Sequence, residues 1–67
     1  MLNKTIKYFR TSHKMTQETL ALKLGVTRQT VSKWEKGISV PDADTLNKIA
    51  DIFDVSVSQL LGETVET

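Results

Sequence analysis

Apolar residues recur along this chain at three- and four-residue spacing, the period of helices with one buried face. The clearest such stretch runs from Thr16 to Gly37, TQETLALKLGVTRQTVSKWEKG. Leu20, Ala21 and Leu24 share one face of a first segment, and Val31 and Trp34 share a face of a second. Thr16 and Thr27 stand where each segment needs an N-cap, a residue whose side-chain oxygen accepts from the first free backbone N–H groups. Met15 and Val26, one residue before each cap, have the spacing to pack on Leu20 and Val31 as hydrophobic staples. Gly25 separates the segments at a point where a chain leaving a helix often needs positive φ. Ala21 is small where two crossing helices come closest. The pattern predicts two short helices joined by a tight turn.

The flanks extend the pattern. A helix from about Leu2 to Ser12 carries the apolar stripe Leu2, Ile6, Phe9, with Arg10 beside that stripe rather than opposite it. His13-Lys14 links it to Thr16. Gly37 ends the third helix, which runs from Thr27 to Lys36, and a loop follows from Ile38 to Pro41. Asp42 caps a fourth helix with Leu46, Ile49, Ala50 and Phe53 as its core face. Ser56 opens a short fifth with a capping box to Gln59 and a Val55–Leu60 staple, and Gly62 closes it. The expected organisation is one domain over residues 1–62 and a polar tail over 63–67. At about 100° per residue, Glu35 projects close to Val31 and therefore faces inward. An inward Arg10 and an inward Glu35 predict a buried ion pair clamping helix one to helix three. The competing arrangement is two charges that snorkel separately to solvent.

Sixty-seven residues make a single small domain, one that buries only about 60% of its unfolded surface. No cysteine is present, which excludes disulfides and thiolate metal sites and fits a reducing, cytoplasmic setting. No apolar run approaches the roughly 20 residues that span a membrane, and no signal peptide is visible. The net charge of +1 hides a strong asymmetry. Residues 1–36 hold eight Lys/Arg against Glu18 and Glu35, net +6, while residues 37–67 hold Lys48 against six carboxylates, net −5. A one-sided basic footprint suits a phosphate-backbone partner.

Gln17, Leu20-Ala21, Leu24-Gly25-Val26, Val31, Trp34-Glu35 and Gly37 together resemble the helix-turn-helix of phage Cro and CI repressors and their bacterial xenobiotic-response-element relatives. The resemblance runs from about Ile6 to about Leu61. It implies an all-α, compact five-helix lambda-repressor-like fold and sequence-specific binding of double-stranded DNA, as a transcriptional repressor at a palindromic operator. It implies base reading by the start of helix three, carried here by Arg28 and Gln29, with Lys33 one turn later. Independently of the resemblance, Gln29, Ser32, Lys33 and Lys36 cluster opposite Val31 and Trp34, with Arg28 at the flank. Glutamine suits an adenine edge and arginine or lysine a guanine. The resemblance also implies that Gln17 holds a phosphate and braces a neighbouring reader, and that Thr27 and the backbone near Lys36 and Gly37 touch phosphates. Relatives often pair charges at positions matching Arg10 and Glu35. Many have glycine where this chain has Lys14, a departure that strains lysine by about 1 kcal/mol if the backbone there is left-handed.

Two other readings compete. An enzyme is disfavoured: His13 is the single histidine and has no cysteine or carboxylate constellation around it. Asp42, Asp44, Asp51 and Asp54 do not make a calcium loop, because Leu46 occupies a ligand position and Asn47 the required glycine. No metal or cofactor is expected. An antitoxin or protein-interaction module on the same fold would use apolar surface at Leu22, Ile38, Val57 and Val65. Because one reading helix gives little specificity, a weak homodimer through the fifth helix is expected, with contacts from Val57, Gln59, Leu61 and Val65.

Overall fold

The structure, a computed structural model, describes residues 2–62. It contains α1 (Leu2–Ser12), α2 (Gln17–Leu24), α3 (Arg28–Lys36), α4 (Ala43–Phe53) and α5 (Val57–Leu60), with no strand among the described residues. Each helix sends at least one fully buried residue to a common core, among them Ile6, Leu20, Val31, Ile49 and Leu60. Phe53 and Trp34 fill the space between them, and Leu2, Phe9, Met15, Val26, Leu46, Val55 and Val57 close the edges. α3 packs on both α1 and α2, while α5 packs on α4 and α1.

One small device is used repeatedly to turn the chain. After α1 (with His13 intervening), α2 and α4 come Lys14-Met15-Thr16, Gly25-Val26-Thr27 and Asp54-Val55-Ser56. In each, the first residue is left-handed, at φ 58, 74 and 59°. The second sends its N–H back to a carbonyl five residues earlier: Met15 to Arg10, Val26 to Ala21 and Val55 to Ala50, each at 3.0 Å. This 6→1 closure satisfies carbonyls that a helix end leaves open. The third residue is the next N-cap, and Thr16, Thr27 and Ser56 each accept the N–H three residues on. The middle residues are apolar and pack on the core. The same three-residue unit therefore sets three of the helix crossings.

The linker after α3 differs. Gly37, at φ 77°, begins it in the same way, and Ile38 N–H closes on Lys33 O at 2.9 Å. The chain then continues to a buried Pro41 and to Asp42, the N-cap of α4, leaving Ile38 and Val40 exposed. Hydrogen bonds from the Thr45 hydroxyl and backbone N–H hold the Asp42 carboxyl below its ordinary value. That contribution to stability is present above the ordinary carboxylate range and is lost as pH falls through the lowered value.

Gly25 needs its conformation rather than its space, since nothing lies within 4 Å of a Cβ built there. The same left-handed backbone at Lys14 and Asp54 carries side chains. Lys14→Gly should raise the urea midpoint, relieving strain of about 1 kcal/mol partly offset by the freer unfolded chain. Asp54→Gly should gain less, because aspartate tolerates this region better than lysine. An unchanged or lowered midpoint for Lys14→Gly would contradict strain at that turn.

Candidate nucleic-acid interface

The interface begins with what holds α3 still. The Arg10 guanidinium on α1 donates from Nε to Glu35 Oε2 at 2.6 Å and from Nη2 to Oε1 at 3.1 Å, a two-point fork. Its Nη1 donates to the Met15 carbonyl at 2.7 Å, so the linker into α2 is tied to the same group. Gln17, the first residue of α2, donates from Nε2 to Glu35 Oε1 at 3.0 Å. The two charged side chains are only 10% and 5% exposed. One carboxylate on α3 thus takes bonds from α1 and α2. No buried side-chain nitrogen or oxygen among the described residues is left unpaired.

With Val31 and Trp34 buried on one side of α3, geometry fixes what the other side presents. Arg28, Gln29, Lys33 and Lys36 are exposed, and Ser32 is half-buried beside them. Among the described residues no hydrogen bond or ion pair engages the side chains of Arg28, Gln29, Lys33 or Lys36. Their donors, and the Gln29 acceptor, are therefore free for a ligand. The Thr27 hydroxyl is largely committed to the cap, accepting from Thr30 N at 3.2 Å and sharing a proton with Thr30 Oγ1 at 2.9 Å. It can donate to a phosphate when Thr30 supplies that shared proton. At the far end, the Asn3 amide nitrogen lies 3.6 Å from where a Cβ on Gly37 would stand, so α1 begins against the end of α3.

The residues expected to form a dimer contact lie elsewhere, on α5 and beyond it. Val57 is half-buried against the core, the Gln59 side-chain oxygen accepts from Ser56 N at 2.8 Å, and Leu61 is half-buried. Val65 lies outside the described residues. Of the three described residues, Leu61, whose backbone forms the C-cap of α5, is the one whose side chain joins neither the core cluster nor a side-chain cap. Sequence reasoning singled out exposed Leu22 and Ile38 but passed over Tyr8 and Val40, which are 65% and 71% exposed. The signal for Tyr8 was available, since it falls two residues from buried Ile6 and so on the other side of α1. His13, at the end of α1, hydrogen-bonds the Phe9 carbonyl at 2.8 Å and lies 5.2 Å from the Phe53 ring.

Two helices set by a three-residue turn, the second presenting an exposed polar and basic face, define a helix-turn-helix protein. Comparison with known proteins agrees: the helix-turn-helix family profile matches residues 6–60. The chain belongs to this family of DNA-binding transcriptional regulators. It is 47% identical over 60 residues to the HTH-type transcriptional regulator MJ0272 of Methanocaldococcus jannaschii, covering 90% of this chain and 89% of that one. It is 39% identical over 66 residues to the HTH-type transcriptional activator BcrR of Enterococcus faecalis. That match takes in 97% of this chain but only 32% of BcrR, so the chain spans about a third of that relative. Among solved structures, the P22 c2 repressor in complex with a synthetic operator has the same fold, with a TM-score of 0.88 at 23% identity. The match covers 96% of this chain and 97% of the repressor chain.

Proposed function

We propose that this protein binds double-stranded DNA in a sequence-specific way, laying α3 in the major groove, and represses transcription by occupying an operator. The observation that carries this reading is the outer face of α3. Its free donors sit on a helix that α1 and α2 hold rigidly through Glu35. The major groove admits a helix and presents a distinct donor and acceptor pattern for each base pair. In this reading Arg28, Gln29, Ser32 and Lys33 face base edges. Gln17, Thr27, Lys36 and the backbone at Gly37 face phosphates, which position the helix without specifying sequence. Steric exclusion of polymerase needs only occupancy of the operator. Neither metal nor cofactor has a part in this mechanism, and no catalytic step is involved.

The protein acts as a weak homodimer on DNA. Support comes from the specificity argument: a single reading helix contacts too few bases to select a site among a genome of competitors. A two-fold pair places two such helices about one DNA turn apart, ~34 Å, on a palindrome. α5 is the surface proposed for pairing, with Leu61 as its main apolar contact. Sedimentation at several concentrations, with and without a palindromic duplex, tests this. The expected result is two protein chains per duplex and a preference for the palindrome over a half-site. One chain per duplex, with no such preference, would overturn the dimer. Fluorescence anisotropy with a random duplex tests DNA binding itself: affinity should fall steeply as salt rises, because phosphate contacts release counterions.

A further inference from the structure

Glu35 already has a complete partner in Arg10, yet it also takes a third hydrogen bond, from Gln17. That third bond has a chemical consequence. An amide side chain has two ends of similar size, one donating and one accepting, and either can turn toward a neighbour. A carboxylate removes the ambiguity because it only accepts. Glu35 therefore fixes which end of Gln17 turns inward: one Nε2–H is used on Oε1. The second Nε2–H and the side-chain carbonyl are left outside that bond. Glu35 can do this because it is itself anchored. The Arg10 fork holds it, and Arg10 is in turn tied to the Met15 carbonyl two residues before Gln17. Gln17 itself is half-buried at the first position of α2.

We infer that Glu35 is a positioning residue for DNA binding, holding the Gln17 amide so that its remaining N–H is presented to a phosphate oxygen. This rests on the DNA interface proposed above and assigns the buried ion pair a task beyond stability. A phosphate, like a carboxylate, only accepts, so Gln17 serves it with nitrogen and not with oxygen. Without Glu35 the amide samples both orientations and several rotamers, and ordering it on binding costs entropy that the native protein has already spent in folding. Gln17 is neutral, so its part in binding is separable from the charge-driven salt dependence of the lysines and arginines.

The test uses a background in which the pair is removed as a unit. Arg10→Met with Glu35→Leu leaves net charge unchanged and strands no buried charge, a replacement that proteins commonly tolerate. Affinity for a duplex carrying the selected site is measured by anisotropy for Gln17→Ala in the native and the pair-free backgrounds. In the native background Gln17→Ala should weaken binding roughly tenfold, the scale of a hydrogen bond to a charged group. In the pair-free background the same change should cost at most about threefold, because the amide there must be ordered anew. An equal loss in both backgrounds, or no loss in the native one, would overturn the positioning role.

A second measurement needs no substitution. In the nitrogen–proton NMR spectrum of the native protein, the two Gln17 side-chain amide protons should be widely separated, one bonded to Glu35. Only the other should shift on adding the duplex. Movement of neither proton would also overturn it. Gln29→Ala in the same titration keeps the two questions apart: if it weakens binding while Gln17→Ala does not, the groove reading stands and the positioning role falls. If neither change weakens binding, the DNA interface itself is wrong.

Discussion

Arg10→Met or Glu35→Leu alone is expected to lower the unfolding free energy by about 3–5 kcal/mol, the cost of leaving one charge buried without its partner. The magnitude belongs at the high end because the two side chains are only 10% and 5% exposed. Removing Glu35 also strands the Arg10 fork and the Gln17 donor, whereas removing Arg10 leaves Glu35 with Gln17 alone among its present donors. A domain of this size holds roughly 3–10 kcal/mol in total, so either change alone brings it close to unfolding at room temperature. The double substitution should cost much less than the sum, since no charge is then left behind. Trp34 reports directly on the transition: it is the single tryptophan and is 4% exposed in the fold. Urea melts at low temperature give the coupling, and additive single effects would contradict a buried pair acting as one unit.

The second large effect concerns DNA. Gln29→Ala and Arg28→Ala should each weaken binding to the selected site by about 1–3 kcal/mol and relax the preference at one base pair. Both side chains are exposed and lie across α3 from Val31 and Trp34, so neither change should lower the urea midpoint by more than about 0.5 kcal/mol. Lys7→Ala and Lys48→Ala are the controls, since they remove a positive charge away from this face. Anisotropy against the selected duplex and its single-base variants separates the cases. Retention by Gln29→Ala of full affinity and unchanged base preference would mean that α3 does not read the groove through this face.

Much of the architecture was legible because the chain uses local signals. Thr16, Thr27, Asp42 and Ser56 announce helix starts by chemistry that acts within three residues, and Met15, Val26 and Val55 mark the packed centres of the linkers. Asp54 was harder to see. Its left-handed backbone, like that of Lys14, accompanies the 6→1 closure, and aspartate marks such a turn less plainly than glycine does. Lys14 stood out only because the resemblance supplied a glycine for comparison. The inward tilt of Glu35 and the position of Arg10 could be read from helical projection. The bond from Gln17 to Glu35 could not, because it joins residues eighteen apart across a helix crossing. The exposed Val40 beside buried Pro41 likewise depends on the path of the longer linker, which no periodic pattern governs.

Selection of bound sequences from a random duplex library tests the central claim most directly, because it presumes neither the operator nor the assembly. The protein should enrich one motif with two-fold symmetry, its half-site centres about 10 base pairs apart. The same selection with Gln29→Ala should lose information at the same base pair in each half. Recovery of no motif, or of one that Gln29→Ala and Arg28→Ala leave untouched, would contradict the account.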